Sequence, residues 1–338
     1  VHTIHPDYDP AGTELRQFLS RVQVGPARTA GPITIVPLCP PGGGRADILT
    51  LGQALANGGL RVSEIGEGRV NELYVDNQSK SYVYIMAGQI LVGAKQNRIL
   101  QHDLLLPPLS GQVAVEAYCV QHGRWEAQNG SYNFKSSNNV SNPSVRHAAT
   151  VARDQGQVWG AVSATQRANK AEDSTGDLNS VYESRQVRAA LHDYREEFAN
   201  LPDSVKGMQG AVLMVRGRVV AADVFGNSHI FRRMWSSLLD SYLLEANGDG
   251  GRMPYVKGGG QSAENLLAGA RQSPTRVLPT PGTGILMALV GMTRGEALVW
   301  DGNVLHVQLF PAAGAVEDRD PMIRRPDDEG PIQRNYQR

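Results

Sequence analysis

The chain has 338 residues, enough for one large domain or two ordinary ones. Hydrophobic residues make up 41% and charged residues 20%, and 33 basic side chains balance 33 acidic ones, so nothing points to a general polyanion binder or a membrane-surface protein; a nucleic-acid partner would need a local basic patch, and none is expected. Aromatic content is 6% against 37 glycines, which favours short strands and tight turns over a helix bundle, and no apolar run approaches the length of a membrane span.

The first residues, rich in proline and histidine, read as an irregular arm. "ELRQFLSRV" then spaces Leu15, Phe18, Leu19 and Val22 as a short amphipathic helix. "ITIVPL" reads as a strand running into the loop "CPPGGGRAD". From Val62 to Arg124 the text is rich in strands, with turns at "VDNQSK", "PPLSG" and "QHGRW". Within it "YVYIMAG", "GQILVGAK", "RILQHDLLLP" and "VAVEAYCV" read as successive antiparallel strands. The polar segment "NGSYNFKSSNNVSNPS" has almost no core-forming residues and reads as a long surface loop.

Helical texture returns in "VRHAATVARDQGQVWGAVSATQRA" and in "SVYESRQVRAALHDYREEFANL", where Val187, Leu191, Tyr194 and Phe198 share a face. "HIFRRMWSSLLDSYLLEA" is the clearest helix: Phe231, Trp235, Leu238, Leu239, Tyr242 and Leu243 form one wide apolar stripe. Gly210–Phe225 and Gly295–Phe310 read as hairpins, with Arg216-Gly217 and Asp301-Gly302 as the turn residues, and "GQILVGAKQNRIL" echoes both. The sum is a mixed α/β (α+β) protein of antiparallel β-sheets with packed amphipathic helices. Residues 1–13 form an N-terminal arm, residues 14–310 a single domain and residues 311–338 a C-terminal arm. The domain is β-rich over 33–125, helical over 144–200, strand–helix over 210–246 and ends in a hairpin at 295–310.

Chemistry-bearing groups are sparse. "PPGGGRADIL" has the strand–loop–helix order of an anion site but lacks the Gly-Lys-Ser/Thr of a P-loop; the plain alternative is a loop with Asp47 as helix N-cap. The eight histidines include no i, i+4 pair and there is no Cys-x-x-Cys, so no metal and no cofactor is expected. Cys119 and His122, three apart on a strand, would point to opposite faces unless the chain turns between them. Cys39 and Cys119 are too few for a disulfide framework, though they could pair with each other. Asn77, Asn129 and Asn139 begin sequons and are candidate glycosylation sites. His306, on an alternating strand, reads as structural, and Asp173, Ser174, Thr175 and Asp177 as helix N-capping groups.

The polar quartet Lys95, Gln96, Asn97 and Arg98 lies between two apolar runs. In one reading Arg98 makes a bidentate contact to a phosphate or carboxylate ligand, Gln96 and Asn97 add amide contacts, and Arg124 with Trp125 offers a second cation beside a stacking ring. In the other the quartet is a structural knot that ties a buried carboxylate or a set of loop carbonyls. Asp223, acidic in an otherwise apolar strand, needs a basic partner, for which Arg98 or Arg124 is a candidate.

"GQILVGAKQNR", "CVQHGRW", the Gln157-Val158-Trp159 segment, "STGDL", and Gly210 through "ADVF" into the "LLDSY" helix occur in an order that resembles the ARPP-1 family, over roughly Leu15 to Phe310. That family is associated with ADP-ribosylglycohydrolase and rhodanese-phosphatase proteins, and the resemblance implies a place in NAD or ADP-ribose metabolism without defining a reaction. It also implies acidic residues where this chain has Gln89 and Gln121; two amides there imply a site that has lost its acid–base pair while the fold is kept.

The sequence starts at Val1 rather than Met, and an exported protein, extracellular or periplasmic after loss of a leader, is expected, with a cytoplasmic one as the alternative. The tail from Glu317 to Arg338 is charged and Pro-rich and could not fold alone, so the arms are expected to be held by neighbouring copies, as in strand exchange. The resulting expectation is a non-enzymatic, self-associating scaffold whose partner is itself. The alternative is an enzyme or binding module for ADP-ribose-like phosphorylated nucleotides.

Overall fold

A computed structural model of the chain describes residues 10–42, 47–69, 71–127, 130–248 and 259–312. The terminal arms fall largely outside these residues, and the expected clamping by neighbouring copies falls there too. Among the described residues no helix is long and apolar enough to cross a membrane.

The two expected hairpins form the middle of the larger sheet. Arg216 and Asp301 take φ values of 50° and 52°, and the glycines after them 81° and 68°, the left-handed geometry that lets a two-residue turn follow the strand twist. These turns join Gly210–Val215 to Arg218–Phe225 and Thr293–Trp300 to Asn303–Pro311. The spatial order is Gln23–Val24, Ile33–Cys39, Gly210–Val215, Arg218–Phe225, Asn303–Pro311, Thr293–Trp300, Ile285–Val290 and Thr275–Leu278, with Arg28–Ala30 beside Gln23–Val24 on the same edge. Every pairing in this sheet is antiparallel.

Its central strands are buried on both faces, as the unbroken apolar text "GAVLMV" requires. Helices Pro10–Ser20 and Gly259–Gln272 cover one face, packing Leu15, Leu19, Leu266 and Leu267 on Val36, Val212, Val224 and Leu309. Ser228–Gly248 and Arg185–Ala199 cover the other, and the apolar stripe from Phe231 to Leu243 is buried there as its spacing predicts.

The remaining strands make a second lobe. Phe134–Val140, Gln89–Gly93, Arg98–Leu100, Gly111–Cys119, Glu72–Asn77 and Leu60–Arg69 form a six-stranded sheet in that order. The sheet curls until its two ends touch: the Glu64 N–H donates to the Tyr132 carbonyl at 2.9 Å and Ser63 bridges Asn133. Leu104–Leu106, Tyr82–Ile85 and Ile48–Thr50 form a three-stranded sheet. "GQILVGAKQNRIL" is itself a hairpin, with Ile90 opposite Ile99 and Leu91 opposite Arg98.

Three local readings are corrected. The polar segment read as a surface loop contains the strand Phe134–Val140, paired with Gln89–Gly93; Phe134 and Val140 bury its ends, and a register shift between Ser136 and Val140 accommodates Asn138 at φ 61°. Asp47 is not an N-cap, because the strand Ile48–Thr50 intervenes and Thr50 precedes helix Leu51–Ala56, with its backbone N–H donating to Gln53 Oε1 at 3.1 Å. "RILQHDLLLP" is not one strand: it breaks at Gln101-His102-Asp103, and its halves enter different sheets.

Candidate active site

The structure gathers Lys95, Gln96, Asn97, Arg98, Gln121, Arg124 and Trp125 at one end of the six-stranded sheet and engages most of their polar atoms inside the protein. Arg98 is fully buried. It faces Glu64 at 3.7 Å, donates to Gln96 Oε1 at 3.3 Å and contacts the Cys119 sulfur. Burial lowers the Arg98 pKa and raises that of Glu64, against the attraction between them.

Arg124 donates to the carbonyls of Ala94 at 2.6 Å, Glu126 at 2.9 Å and Gly93 at 3.0 Å, and through Nε to Gln121 Oε1 at 2.7 Å. It therefore ties down the loop that follows Gln89–Gly93. Asn97 Nδ2 bonds both oxygens of Asp177 at 2.9 and 3.0 Å, and Asp177 also caps helix Leu178–Glu183. Gln96 Nε2 donates to the His122 carbonyl at 3.4 Å. Trp125, 47% exposed, carries the Lys95 ammonium 5.3 Å from its ring centroid.

Gln121 also donates to Thr175 Oγ1 at 2.9 Å, while Gln89 accepts from the Met86 N–H at 2.8 Å. Both amides are buried and serve as local ties. His122 stacks edge-on against Trp159 rather than meeting Cys119. Cys39 and Cys119 lie on separate sheets and are not joined to each other, so the possible disulfide is corrected.

The sequon at Asn77 is corrected as well: the side chain is fully buried and donates to the carbonyls of Ser81 at 2.9 Å and Pro107 at 2.7 Å, leaving no room for a glycan. Asn139 is half-buried and donates to Asn179 Oδ1 at 3.1 Å. Asn129 lies outside the described residues.

Asp223 lies apart from this cluster, and its partner is Arg146 rather than Arg98 or Arg124. The Arg146 guanidinium makes a bidentate pair with it at 2.6 and 2.9 Å, Tyr242 donates to it at 2.6 Å, and His306 Nε2 lies 3.2 Å away. The other ring nitrogen of His306 is 2.6 Å from Asp103 Oδ2, which also accepts from Tyr84 at 3.1 Å. Asp103 Oδ1 accepts from the Ala87 N–H at 2.8 Å.

Burial alone would push the His306 imidazole down, but Asp103 and Asp223 on either side hold it up at about 9. Burial likewise works against ionised Asp223, and the Arg146 charge overrides it and holds that carboxyl well below its ordinary value. Two cations thus match two anions, and the network fastens the two lobes to one another. Gly88 makes room for it: at φ 80°, a Cβ there would lie 2.6 Å from Arg146 Cγ.

Asp103 is the last residue of the corner that breaks "RILQHDLLLP", and the residue before it faces a cleft. His102 lines a cavity of about 530 Å³ together with Gln101, Leu104, Val115, Glu116, Arg153, Leu278 and the segment Pro279-Thr280-Pro281. His102 Nδ1 is 2.8 Å from Glu296 Oε2, and its Nε2 is 3.5 Å from Glu116 Oε2. Glu296, its side chain 2% exposed, stands on Thr293–Trp300 and receives Arg153 NH2 on its other oxygen at 3.0 Å. Burial raises the Glu296 carboxyl above its ordinary value, against the opposing pull of His102 and Arg153.

Arg153 reaches this position through irregular backbone. Helix Pro143–His147 loosens into a π-helical turn at Ala148–Ala152, and Arg153 follows at φ 57° with its N–H bonded to the Ala148 carbonyl at 2.9 Å. Such turns and left-handed non-glycine residues concentrate where a side chain must be aimed. None of His102, Glu116, Arg153 and Glu296 was singled out by the sequence reading. The signals were present: "QHD" interrupts two apolar runs, and Glu296 in "GEALVW" is an acid within an apolar strand, the same sign that marked Asp223.

The fold is thus that of a mixed α/β protein, an antiparallel sheet with helices on both faces and a curled second sheet fastened to it, with an imidazole–carboxylate cleft at the junction. The chain belongs to the ARPP-1 family: the family model described as ARG and Rhodanese-Phosphatase-superfamily-associated Protein domain matches residues 21–310. No curated protein and no solved structure matches it.

Proposed function

We propose that this protein is an acid–base enzyme, a hydrolase in reaction type, with the His102–Glu296 pair as its reacting centre. The observation that carries the reading is the 2.8 Å contact between His102 Nδ1 and a carboxylate whose side chain is only 2% exposed. A carboxylate fixed there makes Nδ1 the protonated nitrogen and leaves the lone pair on Nε2, on the side where Glu116 and the cavity lie. Arg153 holds the second oxygen of Glu296 and so fixes the plane of the carboxylate.

The cavity wall carries the Thr280 hydroxyl and the Asp103 and Glu116 carboxylates, but the group that His102 Nε2 can deprotonate from the open side of the cleft is water, and water is the nucleophile of this proposal. His102 Nε2 takes a proton from water as its oxygen bonds to the electrophilic carbon, and returns that proton to the leaving atom as the old bond breaks. The reading does not depend on acids at positions 89 and 121. It also does not need the Lys95–Arg98 cluster, whose guanidinium is engaged by Glu64 and Gln96.

One imidazole can serve both the water and the leaving atom when the carbon passes through a tetrahedral intermediate, so esters and amides with chromogenic leaving groups are the first classes to assay. Glycosides, which need a second group on the opposite face, are assayed beside them because of the family's association with ADP-ribosylglycohydrolases. Turnover of one class is expected, and His102→Gln is expected to lower kcat/KM by about 10²–10⁴-fold. Absence of turnover on all three classes, or undiminished turnover by the variant, would contradict the proposal.

A further inference from the structure

The charges around the cleft do not cancel. Arg153 is matched by Glu296 at 3.0 Å, and Asp103 by His306 at 2.6 Å. A neighbouring cavity of about 510 Å³ shares Gln101 and Glu116 in its wall, and its Arg69 is matched by Glu72 at 2.8 Å. Glu116 is left over. Its side chain is 66% exposed, and the group that faces it in the ion-pair range is His102, at 3.5 Å. If His102 serves as a base its ring is uncharged, and the cleft then carries one net negative charge beside low-dielectric walls that focus it.

Two further features act in the same direction. The segment Pro143–Ala152 presents its carbonyl end, the negative pole of a helix, at Arg153. Leu104, Val115, Leu278, Pro279 and Pro281 supply apolar lining to the same cavity.

From this balance we infer that the cleft takes a ligand with an ammonium or similar cationic group on an apolar body, with Glu116 as its counter-ion. This rests on the acid–base reading, because it takes His102 as uncharged. Arg153 does not favour an anion instead, since its charge is already neutralised by a carboxylate.

The test is calorimetric titration of the full chain at neutral pH and low salt with three probes of one shape: benzylamine, benzyl alcohol and benzoate. Benzylamine is expected to bind about tenfold or more tightly than benzyl alcohol, and benzoate not at all, as one close uncompensated charge requires. Glu116→Gln, an exposed change that leaves the His102–Glu296 pair in place, is expected to remove the amine preference while benzyl alcohol binds as before. Benzoate binding at least as well as benzylamine, no binding of benzylamine, or an amine preference that survives Glu116→Gln would overturn the inference. The two proposals can fail separately. Turnover that needs His102 without any amine preference sinks only the ligand class, whereas amine binding with turnover indifferent to His102 sinks only the reaction.

Discussion

Replacing Arg146 by methionine is expected to cost the folded protein about 3–5 kcal/mol, seen as a lower urea midpoint with an unchanged slope. Arg146 and Asp223 are both completely buried and joined by two hydrogen bonds. Methionine fills much of the arginine volume, so the loss is electrostatic rather than a cavity. Asp223 would keep Tyr242 and the His306 imidazolium as partners but would lose the bidentate guanidinium, the larger of the two charges that sustain its ionisation. The cost should exceed that of Arg28→Met, which removes a pair at 3.0 Å whose side chains are 50% and 43% exposed, because exposed pairs contribute little. Equal effects of the two substitutions would mean that the buried network does not hold the lobes together.

A second large effect is expected with pH. His306 titrates near 6.5 when unfolded and is raised to about 9 in the folded protein. A raised pKa stabilises the fold fully below the unfolded value and loses that contribution as pH climbs through the folded one. Stability should therefore fall by about 3 kcal/mol between pH 6.5 and pH 9, the equivalent of the shift in free energy. The groups facing His306 all belong to this argument: Asp103 and Asp223 bond its two nitrogens, Phe225 stacks on its ring, and Tyr84 meets it edge-on. His306→Gln should flatten the decline over that range. A decline of equal depth in the variant would assign the pH dependence to other groups.

Much of the architecture is written locally. A positive-φ pair such as Arg216-Gly217 specifies its own hairpin, and the stripe from Phe231 to Leu243 specifies a helix that must be buried on one side. The strand Phe134–Val140 is different. Its middle residues are polar because they lie exposed or half-exposed, and only pairing with Gln89–Gly93 makes the segment regular. The site was less legible still. An acid in an apolar strand announces that a partner exists, but the choice of Arg146 over Arg98 for Asp223 is made by how two lobes meet.

The cleft shows the same limit. His102 and Glu296 are 194 positions apart and Arg153 depends on a π-helical turn, so neither spacing nor periodicity points to the group. The corner at Gln101-His102-Asp103 was the nearest thing to a local sign. The chain changes sheets where these polar residues separate Ile99-Leu100 from Leu104–Leu106, and His102, half-buried between buried Gln101 and Asp103, meets the cleft there.

The account stands most directly on the state of one ring. Nitrogen-15 NMR of the full chain, with His102 assigned by comparison with His102→Gln, reports which nitrogen of the neutral imidazole carries the proton. The account predicts protonated Nδ1 and unprotonated Nε2, and loss of that preference in Glu296→Gln. Protonated Nε2, or a tautomer indifferent to Glu296, would contradict it.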